Sequence, residues 1–104
     1  VFNFFNSVPS ISTQELEAKL GSKPIIFDVR TQSEYQAGHI FQAKHLSSNQ
    51  INQFNKKQME PVYVICQSGM RSKQAVKKLR VQGVDAINIR GGMNQWTGSV
   101  KRGK

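Results

Sequence analysis

The sequence predicts an α/β fold in which a central parallel β-sheet is flanked by helices on both faces. Two observations carry this. Three short apolar runs, PIIFDV (24–29), PVYVIC (61–66) and AINI (86–89), read as strands without the polar alternation of a sheet that has one wet face. Between them lie helical patterns bounded by their own cap and stop residues, and strands alternating with helices in this way argue for parallel pairing through helical crossovers. A length of 104 residues, with 38% hydrophobic and 20% charged, suits one domain with a single core. The reading divides the chain into an extension over 1–9, a domain over 10–97 and a basic tail over 98–104.

Taken in order, ISTQELEAKLG opens with Ser12 and Glu15 at capping-box spacing and with Ile11 and Leu16 at staple positions, and Gly21 offers a left-handed stop. A helix of about two turns is expected. Pro24 then heads the first apolar run. TQSEYQAG repeats the capping logic with Thr31 and Glu34, and Gly38 ends it. A short strand around Ala43 to Leu46 and a weak helical pattern over NQINQF follow, and the polar loop NKKQME leads to the second apolar run. SKQAVKKLRVQG sets Ala75, Val76 and Leu79 on one helical face and stops at Gly83, before the third run.

Charge and cysteine usage bound the function. Fifteen Lys and Arg against six Asp and Glu give a net +9, compatible with anionic substrates, nucleic acid, an acidic protein or an anionic membrane surface. The single cysteine excludes an intrachain disulfide framework, and the Cys/His spacings of structural zinc sites are missing, so no metal is called for. A reducing, cytoplasmic setting is the expectation. No apolar run approaches the ~20 residues of a spanning helix, and VFNFF is too short for a signal core and lacks a basic flank.

The single cysteine, Cys66, falls at the carboxyl end of the second strand, where ligands gather in parallel sheets. CQSGMRS runs from that strand into a helix, so the backbone N–H groups of Gln67, Ser68, Gly69 and Met70 can converge with the positive helix end on one anion. Gly69 permits the tight fold, Arg71 supplies a forked permanent cation, and Ser72 is placed to cap the helix. Such a cradle stabilises Cys66 as thiolate, the nucleophilic form. A lone thiol is more often a small buried hydrophobe, but a polar turn with a nearby Arg is poor material for an apolar pocket.

The motif resembles that of the rhodanese-homology domain family: Cys66, Gly69, Arg71 and Ser72 complete its active-site pattern. DVR at 28–30, Glu34 with Tyr35, GHI at 38–40 and GGMNQW ending at Trp96 recur in the same order, with Phe41 and Gln42 where the family usually has Pro-Gly. The resemblance spans roughly 10 to 97. It implies a sulfurtransferase without cofactor. Cys66 and Arg71 are then catalytic, Gln67, Ser68, Gly69, Met70 and Ser72 bind substrate, and sulfur passes from an anionic donor such as thiosulfate or polysulfide through a cysteine persulfide to a thiol, cyanide or an acceptor protein.

Related cysteine phosphatases place five residues between Cys and Arg, whereas Gln67, Ser68, Gly69 and Met70 make four, and a smaller ring suits sulfur better than phosphate. Arsenate reduction calls for further thiols. Asp28 and Arg30 read as a structural ion pair, with Glu34 as a further partner, and His39 and His45 as structural groups. Trp96 reads as packing, with the paired glycines allowing close approach to the neighbouring loop. Lys73, Lys77 and Arg80 form a solvated helix face, or else one that steers anions or docks an acidic carrier. A basic module binding RNA through this face and the KRGK tail is the rival from another class, but interleaved aromatics and a nucleic-acid motif are absent.

Overall fold

The computed structural model describes residues 7–56 and 58–104, so the reading of VFNFF and the place of Lys57 lie outside the described residues. The elements in chain order are β1 (Ser10–Ile11), α1 (Thr13–Lys19), β2 (Ile25–Asp28), α2 (Gln32–Ala37), β3 (Ala43–His45), α3 (Ser48–Gln53), β4 (Val62–Ile65), α4 (Met70–Val81) and β5 (Ala86–Ile89). Short 3-10 turns cover Leu20–Ser22 and Gly92–Gln95. The strands form one five-stranded sheet in the order β1-β5-β4-β2-β3, and every pairing is parallel. Register sets Asp28 beside Ile65, so the chain leaves β2 and β4 at the same edge of the sheet.

Both sheet faces are covered, which is why the strand runs show no polar alternation. On one face Phe27, Val62, Val64 and Ala86 pack with Ile51 of α3 and with Ala75, Val76 and Leu79 of α4. On the other, Ile26, Tyr63, Ile65 and Ile89 pack with Leu16 of α1, and Tyr35 of α2 and Trp96 lie against the same cluster. Leu79 is fully buried, and its truncation to Ala should cost about 2–5 kcal/mol.

The capping boxes expected from Ser12 with Glu15 and Thr31 with Glu34 are both formed. A third, Ser47 with Gln50, opens α3. One element is new and two local expectations are corrected. The strand Ser10–Ile11 is new; two residues carry no readable period, and Ser10 pairs with Asn88 only after the sheet has formed. The left-handed stop after α1 falls on Lys23 (φ 55°) rather than Gly21, because a 3-10 turn over Leu20–Ser22 carries the chain past the glycine. Ser72 does not cap α4: the N-cap is Gly69, and Ser72 lies buried within the first turn.

Residues 98–104 fold back on the domain. His39 and Lys101 exchange both backbone hydrogen bonds, 2.9 and 2.8 Å, and Gly103 N donates to Gln36 O at 2.8 Å. Among the described residues no helix is long and apolar enough to cross a membrane.

Candidate active site

Cys66 follows β4 directly and is fully buried. Its Sγ accepts a hydrogen bond from Gly69 N at 3.0 Å. Gly69 adopts φ +99°, a backbone conformation that favours glycine, and a Cβ there would lie close to Gly91 N, at 3.1 Å. Burial pushes the Cys66 thiol up and is the largest single influence. The Ser72 hydroxyl and the N–H groups of Ser72, Gly69 and Ser68 together outweigh it and hold the thiol below its ordinary range.

The back of the loop is fixed by the turn after β5. Met93 N donates to Cys66 O at 2.8 Å and Asn94 N to Gln67 O at 2.9 Å. Gly92, at φ +58°, has no room for a Cβ, which would overlap the Cys66 carbonyl oxygen. The close approach expected of the paired glycines is therefore made at Gly92. With two loop carbonyls held on that side, the N–H groups of the loop are left to the sulfur.

A buried ion pair braces the loop from its other flank. Arg30 binds Asp28 through Nε (3.0 Å) and Nη2 (2.8 Å), Gly38 O through Nη2 (2.7 Å) and Gln67 Oε1 through Nη1 (3.1 Å). Gln67 Nε2 donates in turn to Asn94 Oδ1 at 2.7 Å. The Gln67 side chain thus ties the loop to two neighbouring segments. Glu34 is not a partner of Arg30. It accepts both guanidinium nitrogens of Arg71, at 2.8 and 3.0 Å, while also capping α2. The Arg71 hydrogen bond, with that of the Thr31 N–H, lowers the Glu34 carboxyl from 4.5 to about 2.

The remaining loop residues divide by exposure. Ser68 and Met70 face solvent, Met70 at 67%. Ser72 is buried, with its Oγ donating to Asn88 Oδ1 at 2.5 Å. Arg71 also edges a groove of about 180 Å³ whose floor includes Val29, Ile51 and Ala75 and whose rim carries Gln74 and Lys78. Val29 N donates to Ile65 O at 3.0 Å, which sets this groove one residue from Cys66.

The histidines have structural surroundings. His39 stacks on Tyr35 at 3.7 Å and its Nδ1 pairs with Tyr35 O, and His45 Nε2 pairs with Arg30 O at 2.7 Å. On α4, Arg80 is engaged by Asp85 and Ala86 O, while Lys73 and Lys77 are half-buried. Asn88 and Asn94 were not singled out in the sequence. Their contacts to Ser72 and Gln67 join segments 16 and 27 residues apart, and no local pattern marks them.

The Cys66 thiol thus lies among N–H groups of its own loop at the start of α4, at the carboxyl edge of the parallel sheet. The chain belongs to the rhodanese-like domain family, whose model matches residues 12–99. It is 36% identical over 99 residues to the Bacillus subtilis (strain 168) protein described as "Putative sulfurtransferase YtwF", covering 90% of this chain and 95% of that one. It is 33% identical over 103 residues to "Putative sulfur carrier protein YrkF" of the same organism, covering 92% of this chain and 55% of that longer one. A rhodanese-like domain protein from Staphylococcus aureus, known as a crystal structure, matches at TM-score 0.79 and 40% identity over 93% of this chain and all of that one.

Proposed function

We propose that the protein is a sulfurtransferase working through a persulfide on Cys66. The observation that carries this reading is the Cys66 sulfur held by Gly69 N–H inside a four-residue loop that opens α4. Thiolate Sγ attacks the outer sulfur of an anionic donor of the thiosulfate or polysulfide type. With thiosulfate, an S–S bond forms to Cys66, the bond to the sulfonate sulfur breaks, and sulfite leaves with the electron pair. The anionic persulfide then gives its terminal sulfur to a thiolate, to cyanide or to an acceptor protein, and the Cys66 thiolate returns. This is ping-pong covalent catalysis.

Lowering a thiol's pKa raises its thiolate fraction but weakens each thiolate as a nucleophile, with a Brønsted coefficient of about 0.4–0.5. The loop's larger contribution is therefore to hold the charge of donor, departing anion and persulfide. Gly69 and Ser72 serve this through N–H groups, as do Ser68 and its neighbours, with Met70 at the solvent rim. Arg71 adds a cation beside the loop, and Lys78 extends the positive rim along the groove toward an incoming anion or an acidic acceptor. A reducing, cytoplasmic compartment suits a thiol used in this way.

The test is thiocyanate formation from thiosulfate and cyanide. Wild type should turn over, Cys66→Ser should keep the fold and show none, and small aryl phosphates should not be hydrolysed. A glycine inserted between Gly69 and Met70 widens the ring and should lower sulfur transfer by an order of magnitude or more, since misplacement by about 1 Å can cost ~100-fold. Efficient aryl phosphate hydrolysis by wild type with no thiocyanate would replace this reading with a phosphatase.

A further inference from the structure

Both arginines at the Cys66 loop are already paired with carboxylates. Arg30 reaches the loop at Gln67 and gives Nε and Nη2 to Asp28. Arg71 gives a hydrogen from Nη1 and from Nη2 to Glu34, at 2.8 and 3.0 Å, while among the described residues its Nε has no acceptor. Glu34 is itself held in place, because its Oε1 also accepts Thr31 N at 2.8 Å in the box that opens α2. Its carboxylate therefore stays beside the loop. Together with Arg30 and Gln67 it lines a hollow of about 300 Å³, and Arg71 edges the separate groove beside Val29 and Ala75, so this one ion pair borders both concave surfaces next to the loop. A fixed carboxylate in that place repels an entering anion in proportion to the charge the anion carries. Lys78, the other cation on the groove, stands two helical turns or ~10 Å further along α4. At physiological salt that is beyond the ~8 Å over which exposed charges act.

We infer that Glu34 is a specificity-determining residue: by offsetting the charge of Arg71 it tunes the Cys66 site to sulfane donors that carry one negative charge, the class of organic thiosulfonates and persulfide anions, over the thiosulfate dianion. Arg71 keeps its outer N–H groups to bind the donor and part of its field, so thiosulfate still turns over. The attacking thiolate brings a negative charge of its own, and a dianion meets it with twice the repulsion of a monoanion. With a thiosulfonate, the S–S bond to Cys66 forms, the bond to the sulfonyl sulfur breaks, and a sulfinate leaves with the electron pair and one charge. With thiosulfate the leaving sulfite takes two. The inference rests on the proposed sulfur transfer and names the donor that suits it.

The test compares wild type with Glu34→Gln, which keeps the capping box and the shape of the side chain and removes only the charge. With cyanide as acceptor, kcat/KM is measured for thiosulfate and for methanethiosulfonate, two donors of like chemistry with two charges and one. Glu34→Gln should raise the value for thiosulfate about 5-fold more than that for methanethiosulfonate, the effect of one further unit of donor charge near a carboxylate. In 1 M salt, where screening acts within ~3 Å, the difference should disappear. An equal gain for both donors, no gain, or a loss for both would overturn the inference, the last by showing that Glu34 serves only to hold Arg71. A second measurement needs no turnover: protection of Cys66 from iodoacetamide by sulfate and by methanesulfonate, in which Glu34→Gln should again favour the dianion about 5-fold. Were wild type to gain no sulfur from either donor, the sulfurtransferase reading would fall, and protection would still decide the role of Glu34. Should the variant not fold, wild type decides alone: sulfate should protect no better than methanesulfonate, and better protection by sulfate overturns the inference.

Discussion

Two arginines leave neighbouring strands at the same edge of the sheet and meet different fates. Arg30, after β2, is 4% exposed and pairs with an Asp28 that is 0% exposed, whereas Arg71, after β4, is 47% exposed and pairs with a Glu34 at 33%. The first pair has little water to fall back on, so its partners, Gly38 O and Gln67 Oε1, complete a closed network. The second is wet and worth little to the fold, and its cation stays next to the Cys66 loop. One arginine shapes the site and the other lends it charge.

The sharpest way to break this contrast is Arg30→Ala, which leaves Asp28 buried and unpaired and should cost about 3–5 kcal/mol. Thermal unfolding should shift down by well over 10 °C, at ~4–8 °C per kcal/mol for a domain of this size. A shift of only a few degrees would show the pair to be dispensable. Next in size is Gly92→Ala. A Cβ pressed on the Cys66 carbonyl should drive the turn and loop apart and slow persulfide formation ~100-fold. Stopped-flow rates equal to wild type would mean that the turn does not set the loop's geometry.

Arg71→Ala should do the opposite of Arg30→Ala: stability within about 1 kcal/mol of wild type, with thiosulfate-dependent kcat/KM down about 10- to 100-fold. Arg71→Lys should recover part of it, since it keeps the charge and loses the fork. Unchanged kcat/KM in both variants would make Arg71 a surface charge like any other. The smallest effect is in acid. Glu34 has a folded value of about 2 against an ordinary 4.5. A depressed carboxylate stabilises above the unfolded value, so the contribution should be complete above pH 4.5 and lost as pH falls toward 2. Glu34→Gln should flatten that part of the stability profile, and identical acid limbs for the two proteins would count against the pairing.

What could be read from the sequence was local. Runs of β-branched and aromatic residues gave β2, β4 and β5. Ser and Thr three residues before Glu gave the starts of α1 and α2, and SSNQ at 47–50 carried the same signal for α3. The loop around Cys66 was legible because Gly69 and Arg71 sit close by in the chain. Contacts that close over long separations were not. Glu34 meets Arg71, and Arg30 meets Gln67, across 37 residues, and each pairing depends on β2 and β4 having already come together. Ser72 was misread as a cap for the same reason: its partner Asn88 lies 16 residues on, in β5.

The central claim is tested most directly by intact-protein mass spectrometry before and after thiosulfate. The account predicts a gain of one sulfur per chain, removed by cyanide or a reductant and absent from Cys66→Ser. An unchanged mass in a folded, reduced wild-type protein, or a sulfur adduct that persists in Cys66→Ser, would contradict it.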